Sequence, residues 1–446
     1  MVKKPEPAPP VEPSDNILEA LFRRDEDSEL EGILQRVNRD YLYWDKLKHL
    51  KPPTGLTAEE LWGLTKLSRS LNRRQTPIVD IHGHHFWYSL TDELQRALMV
   101  IDQEAGGRIG ASVPGITRDV QRTFLVNRLM EEAIASSQIE GAATTRRDAK
   151  EMLRTGRPPR TRGERMILNN FRTITRIKEL RDQELTPNLL LELQSSLTEG
   201  TLDDPDEIGR VREDRDKDVV VSDGLTGEVA HVPPAASEIP AQLEALCRFS
   251  NEETEQFIHP VLKAVLLHFW LAYLHPFCDG NGRTARALFY LHAVRKGYWL
   301  FEYVSISRAI LERRAQYDRA FLYTELDDAD VTYFVTFHLQ AVEGALRDFW
   351  VYVERKAEED RRLAQQVSHD GELNHRQRAV LSRALKDSAV KFTIASHRAS
   401  HNIAYGTARA DLIGLADRGY LSQRRQGKTF VFYPASDLRD RVAGGD

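Results

Sequence analysis

Apolar residues recur three and four positions apart along most of the chain, so helices dominate the predicted structure. From Ile17 to about Arg108 the pattern is mostly helical. "LTAEELWGLTKLSRSL" reads as a helix capped by Thr57, with Glu60 three residues on completing a capping box. "TDELQRALMVIDQEA" reads as another, and "IHGHHFWYSL" between them as a turn or short hairpin. "TRDVQRTFLVNRLMEEAIASSQIEG" is a long helix, started by Thr117 or Asp119 and stopping near Gly141. Helices follow over Arg165 to Leu180 and in "TPNLLLELQSSLTEG", where Pro187 suits a first turn. "HPVLKAVLLHFWLAYLH" is apolar all round and therefore a buried helix. "TARALFYLHAVRKGYW" and "DVTYFVTFHLQAVEGALRDFWVYVERKAEEDRRLAQ" read as two more helices. The period shortens in "VVVSDGLTGEVAHVPP", two β-rich runs around a glycine-containing turn, which predicts a hairpin. Near the end, "HRQRAVLSRAL" and "TARADLIGLADRGYL" read as helices, and "SQRRQGKTFVFYP" as a two-strand ribbon turning at Gly427. The fold class is mainly α, with a proline-rich flexible leader over residues 1–16.

Composition narrows this picture. With 446 residues, 41% hydrophobic and 29% charged, the chain is long enough for two or three domains with sizeable cores. A net charge of −5 excludes a global basic field, yet Leu373 to Pro434 holds eleven Lys and Arg against three Asp and Glu. Two cysteines, Cys247 and Cys278, make no disulfide framework and point to a reducing compartment. The apolar run "VLKAVLLHFWLAYLH" is too short for a bilayer and carries Lys263 and His268. A cytoplasmic protein without a membrane span is expected.

The densest chemistry lies in "HPFCDGNGRTAR", His275 to Arg286. Gly280 and Gly282 let a backbone approach a ligand closely, and they sit where a helix begins, with its unpaired N–H groups. Arg283 and Arg286, three apart, share a helix face and offer two guanidinium forks to phosphate oxygens. Asp279 is the one nearby acid, and one carboxylate plus substrate phosphates is a common way to hold Mg²⁺. His275 ends the preceding helix, where it can take a proton from a hydroxyl. These residues ask for a nucleoside di- or triphosphate with a divalent cation. No GxxxxGK[ST] loop is present, and no strand precedes the glycines as a dinucleotide fold requires.

This stretch resembles the Fic-domain signature HxFx(D/E)GNGRxxR at every defined position. The resemblance implies transfer of AMP from ATP to a Ser, Thr or Tyr hydroxyl of a target protein, with Mg²⁺ or Mn²⁺. It makes His275 the general base, Asp279 the metal ligand, and Gly280, Asn281 and Gly282 the anion hole. It makes Arg283 the β-phosphate clamp and Arg286 the γ-phosphate orienter. Phe277 is read as a core anchor and Cys278 as a spectator. "SSQIEG" resembles the family's inhibitory motif [S/T]xxxE[G/N], here Ser136, Glu140 and Gly141. In that reading Glu140 pairs with Arg286 and occupies the γ-phosphate seat. Such a glutamate also serves AMP removal in some relatives.

The predicted hairpin lies where the family has its target-docking flap, with Val219, Val220, Val221, His231 and Val232 as edge positions for strand addition. Tyr317 and Tyr323 are candidates for the adenine, with core packing the stronger reading. "HGHH" (His82, His84, His85) lacks partner ligands at metal spacing and reads as a surface turn. The C-terminal segment resembles a winged helix, with a recognition helix over Tyr405 to Asp417 and Arg409, Arg424, Arg425 and Lys428 as candidate DNA contacts. The expected organisation is a leader over 1–16, N-terminal helices over 17–114, a Fic core over 115–360 with an inhibitory helix over 117–141, and the winged helix over 372–440. The competing reading is a DNA-binding regulator whose core senses nucleotide or modifies its own chain. De-AMPylation or transfer of another nucleotide is a third. Relatives that are dimers add a homodimer to the expected partners, beside ATP and an unidentified target.

Overall fold

The computed structural model describes residues 4–11, 14–23, 27–106, 118–216, 221–222, 229–426 and 429–444. The chain divides into two compact units, one of residues 1–109 with 128–346 and the other of residues 110–127 with 347–446.

The first unit is built around two helices, Pro260–Leu274 and Asn281–Arg295, which pack against each other. Each buries thirteen of its fifteen residues, as expected of helices with no continuous polar stripe. Pro187–Thr198 and Arg162–Leu180 cover the second helix, each capped by a threonine, Thr186 and Thr161. The long helix expected to end near Gly141 runs Arg118–Ile139. Its candidate cap Thr117 lies outside the described residues. Gly141 takes φ 88 and turns the chain away, a conformation that favours glycine.

N-terminal helices Asp15–Arg23, Ser28–Arg39, Trp44–Leu47 and Ala58–Ser70 share one cluster with Tyr333. The Thr57–Glu60 capping box is present. Buried ionic groups tie this region to the segment after helix Arg314–Leu326. Lys66 pairs with Asp327 at 2.7 Å, Arg69 donates to the Tyr333 hydroxyl at 2.9 Å, and Tyr41 donates to Asp330 at 2.7 Å. The leader differs from the flexible segment expected. Pro5 is buried, the Ala8 amide donates to the Tyr43 hydroxyl at 3.0 Å, and a helix begins at Asp15. Around "HGHH" the hairpin is larger than read, pairing Arg73–Val79 with His85–Ser89, with an irregular register between Gln75 and Val79. Pro77, which has no N–H to give a ladder, falls in that irregularity.

In the second unit, helices His375–Lys386, Ile394–His401 and Tyr405–Asp417 pack on a three-stranded sheet. Thr429–Pro434 is its central strand, between Phe392–Thr393 and Leu421–Gln426. Leu381, Leu412, Leu415 and Phe432 form the centre of its core. Gly427 and Lys428 lie outside the described residues.

Candidate active site

Helix Pro260–Leu274 stops at His275, which adopts φ 46 and ψ 57. A residue with a β-carbon rarely takes this left-handed conformation, and Pro276 cannot continue the helix. The turn aims the imidazole out of the helix. Its Nδ1–H donates to the Ala272 carbonyl at 3.2 Å. A carbonyl only accepts, so the proton sits on Nδ1 and Nε2 keeps its lone pair. Burial pushes the pKa of His275 down to about 4, against the opposing pull of the Ala272 bond. At neutral pH it is an unprotonated base with its free nitrogen already selected.

The loop after it is fixed from inside. Phe277 is fully buried. Asn281 accepts from the Phe277 amide at 2.9 Å and donates to the Phe277 carbonyl at 2.8 Å. Gly280 has φ 87, and a β-carbon there would lie 2.7 Å from Thr198 Cγ2. No side chain caps helix Asn281–Arg295, so its first amides remain available to an anion. The side chain of Asn281 belongs to the loop, which leaves its backbone for any anion hole.

The two arginines of the signature are buried but differently engaged. Arg283 donates Nη1 to the Leu197 carbonyl at 2.9 Å. Among the described residues its Nε and Nη2 have no hydrogen-bond partner, and Nη2 lies 3.5 Å from Asp279. Burial lowers its pKa, with Asp279 opposing. Such orphaned, buried donors are costly unless a ligand uses them. Arg286 is engaged through Nε and Nη2. Nε donates to Ser136 Oγ at 2.9 Å, and Nη2 donates to the Ser136 carbonyl at 2.9 Å and to Glu140 Oε1 at 2.8 Å. The Glu140 carboxylate rests against the bare α-carbon of Gly282, where a β-carbon would collide with it. Burial alone would raise the pKa of Glu140. Arg286, then Arg283 and Arg314, outweigh it and hold the carboxyl below its ordinary value.

Asp279 is suited to a divalent cation. Its carboxylate is 40% exposed; Oδ1 accepts the Gly280 amide at 2.5 Å, and Oδ2 has only the longer approaches of Arg283 at 3.5 Å and Arg162 at 3.8 Å. That leaves lone pairs facing outward beside the orphaned arginine. Behind the loop, Glu207, Asp216 and Cys278 come within 4.8 Å of one another, yet Asp216 is held by Arg210 at 2.6 Å and burial pushes the thiol up to about 12. That group is an ion-paired corner, in which the thiol of Cys278 is protonated at neutral pH.

Several contributors carry no motif. Gln194 donates to the Asp279 carbonyl at 3.1 Å and accepts from the Gly209 amide at 2.7 Å. Arg212 donates Nε to the His275 carbonyl at 2.9 Å and reaches the Pro234 carbonyl. Arg314 donates to the Ile139 carbonyl at 2.7 Å, at the end of the helix that delivers Glu140. The one signal in sequence was Gln194 itself, a polar residue on the Leu190, Leu193, Leu197 face of its helix.

The hairpin upstream pairs Val221 with His231 and Ser222 with Val229. Val219 and Val220 lie outside the described residues. Val232 is exposed, whereas the His231 ring is engaged at both nitrogens, by Glu325 at 3.0 Å and the Tyr273 carbonyl at 2.7 Å. Tyr317 lies among Phe321, Phe334 and His338, and Tyr323 stacks on Tyr43 at 4.5 Å and donates to Asp45. His84 approaches Asp80 at 3.3 Å and His85 the Thr76 carbonyl at 2.9 Å, so these rings serve the hairpin. In the second unit Arg409, Arg424 and Arg425 are exposed. Lys391 and Arg424 stand over the Tyr433 ring at 5.9 and 5.5 Å.

A helical fold that presents an uncapped helix start and buried arginines beside a base can hold a phosphate group. Comparison with known proteins shows what this arrangement resembles. Residues 184–293 match the sequence model of the Fic/DOC family. The protein adenylyltransferase Fic of Nematostella vectensis is 39% identical over 94 residues, 21% of this chain and 20% of that protein. The protein of the same name in Drosophila yakuba is 41% identical over 68 residues, 15% of this chain and 14% of that one. The matched segments thus span a fifth or less of these relatives. The crystal structure of a Fic family protein from Desulfovibrio desulfuricans G20 superposes with a TM-score of 0.51 over 78% of this chain and 98% of that chain, at 20% identity, which shows a shared fold. The chain contains a Fic/DOC domain.

Proposed function

We propose that the chain is a protein adenylyltransferase, moving AMP from ATP to a Ser, Thr or Tyr hydroxyl of a target protein, and that Glu140 holds it inactive. The observation that carries this reading is the pairing of a free imidazole Nε2 on His275 with a buried Arg283 that has two unused donors. The target hydroxyl gives its proton to Nε2 of His275 as its oxygen bonds to the α-phosphorus. The bond from that phosphorus to the β-phosphate oxygen breaks, and pyrophosphate leaves. The helix-start amides of Gly282 and Arg283 and the Arg283 fork hold the phosphates in line, so positioning and charge neutralisation supply most of the rate. A divalent cation at Asp279 would neutralise charge on the leaving pyrophosphate. The hairpin strand of Val221 and the exposed Val232 beside it would receive the target strand.

Inhibition follows from competition for one guanidinium. Arg286 gives Nε and Nη2 to Ser136 and Glu140, so a γ-phosphate that takes the Nη2 edge must displace a carboxylate that is already charged and paired. The test is incorporation of α-labelled ATP, with Mg²⁺, into the chain itself. Glu140→Gly is expected to raise labelling at least tenfold, and His275→Ala or Arg286→Ala in that background to abolish it. Labelling unchanged by Glu140→Gly would end the inhibitory reading, and labelling that survives His275→Ala would end the mechanism. A preference for another nucleoside triphosphate, or net AMP removal by wild type, would move the assignment within the family.

A second reading concerns the C-terminal unit. Arg409, Arg398, Lys391 and Arg424 have no ion-pair partner among the described residues, while Arg376 is paired with Asp411 and Arg439 with Asp360. Tyr405, at the start of helix Tyr405–Asp417, is 56% exposed. We infer a winged-helix module that binds duplex DNA through these cations. Anisotropy of a labelled 30-bp duplex pool should show salt-dependent binding that Arg409→Ala with Arg424→Ala removes. Binding with no salt slope would point to a protein partner instead.

A further inference from the structure

A cavity of about 280 Å³ opens where the flap strand meets the N-terminal hairpin. Its inner walls are the rings of Phe86 and Tyr273, edge to face at 5.0 Å. Val229 and Val232 of the flap, 47% and 56% exposed, form its apolar side. Two carboxylates face into it, Asp80 from the hairpin turn and Glu325 from helix Arg314–Leu326. Among the described residues neither is in an ion pair with a lysine or arginine. Asp80 is met by the amides of His82 and His84 and by the His84 ring, and Glu325 by the His231 ring. Lys4 is a further charged side chain along the lining, and His231, whose two ring nitrogens both meet acceptors, shares the charge of Glu325 from one side.

Rings and valines around two carboxylates match one kind of side chain. A long cationic residue can lay its methylenes on the apolar walls and bring its head to the acids. An acidic side chain would meet repulsion from both.

The cavity is also fixed relative to the base. His231, on its wall, donates Nε2 to the carbonyl of Tyr273, two residues before His275. Arg212 bonds the carbonyls of His275 and Pro234, so the flap exit and the catalytic corner are held by one side chain. A target strand laid along the flap would advance about 3.3 Å per residue, and a neighbour of the acceptor can then enter the cavity. We propose that this cavity seats an arginine or lysine of the target protein, close in sequence to the modified hydroxyl, and so selects acceptors that lie beside a basic residue. This rests on the transferase reading given above.

The test uses the full chain carrying Glu140→Gly, α-labelled ATP and Mg²⁺, and a pool of lysate peptides cleaved at acidic residues so that lysine and arginine survive. Modified sites are mapped by mass spectrometry on the peptides and on the chain itself. Lysine or arginine should be enriched severalfold at a fixed offset within about three residues of the acceptor. Adding Glu325→Lys should reverse the preference toward acidic neighbours. Adding Asp80→Asn with Glu325→Gln, which removes both charges and keeps their shape, should erase it. Labelled sites with no basic enrichment, or an enrichment that neither variant alters, overturn this inference and leave the transferase reading standing. Absence of label from peptides and chain alike overturns the transferase reading, and this inference with it.

Discussion

Asn281 stands in the middle of the phosphate loop, yet its side chain turns inward. It meets both polar groups of the Phe277 backbone, at 2.9 and 2.8 Å, with Phe277 and Asn281 both buried. Removing it leaves a buried amide and a buried carbonyl unpaired, each costing about 1–3 kcal/mol. Asn281→Ala should therefore lower the unfolding free energy by about 3 kcal/mol, read as a shift of the urea midpoint. A variant that loses nucleotide binding with an unmoved midpoint would make Asn281 a ligand contact instead. The sequence could not separate these roles, because an asparagine between two glycines looks the same whether it faces a ligand or its own loop. Gly280 was more legible, since a glycine before a helix in such a run asks for a left-handed turn, and its φ is 87. Gln194 and Arg212 were not legible as site residues. They reach the loop from 85 and 63 positions away, and only the packed fold brings them there.

The helix Arg118–Ile139 is nailed into the first unit well before it reaches Glu140. Glu132 is buried and accepts from the Tyr290 hydroxyl at 2.7 Å, the Ser305 hydroxyl at 2.8 Å and the Ser307 amide at 3.1 Å. Glu131 beside it takes Arg146, Lys150 and Arg308. Withdrawing the helix would strand two buried carboxylates, each worth several kcal/mol. Release of Arg286 must then be local, a movement of Glu140 and the turn at Gly141 alone. Hydrogen exchange should show it. In Glu140→Gly with Mg²⁺ and ATP, amides of residues 130–136 should keep wild-type protection while those of 140–142 exchange faster. Deprotection of the whole helix would sink the local model. Arg314 holds the last carbonyl of this helix. Arg314→Ala should raise self-labelling severalfold with Glu140 intact, and Arg314→Lys should restore most of the block. The helix itself was readable from its period and its closing glycine. Its anchors were not, because "EE" within a helix reads as solvated charge until Tyr290 and Ser305 are placed against it. The strand Arg73–Val79 was missed for a related reason, since two arginines and a proline mask its period. The helix Arg146–Thr155 is so polar that only Ala149 and Met152 mark its buried face, and Ile306–Glu312 offers too few turns for a periodic signal.

Across the whole molecule, the same close packing makes the first unit sensitive to acid. His268, His275, His292 and His338 all lie in it. Burial holds each below its ordinary value, His275 at about 4, His292 and His338 at about 3, and His268 well down. In the unfolded chain each takes up a proton near pH 6.5. Between about pH 6.5 and 4 the unfolded state therefore binds more protons at these sites, and stability falls as pH falls. Asp330 acts in the opposite sense. Burial, then the nearby Asp327, raises its pKa, so the folded state binds its proton first and acidification through that range favours folding. Each site shifts stability by at most about 1.4 kcal/mol per pH unit, so four histidines against one carboxyl leave a net loss. Urea midpoints taken from pH 7 to pH 5 should drop steadily, with the transition of the first unit carrying the change. His292→Gln, which removes one proton-binding difference, should flatten that slope by roughly a third of the net effect. A midpoint that stays level or rises toward pH 5 would mean that these imidazoles are charged or solvated in the folded protein, and the neutral Nε2 that the mechanism requires of His275 would lose its physical basis.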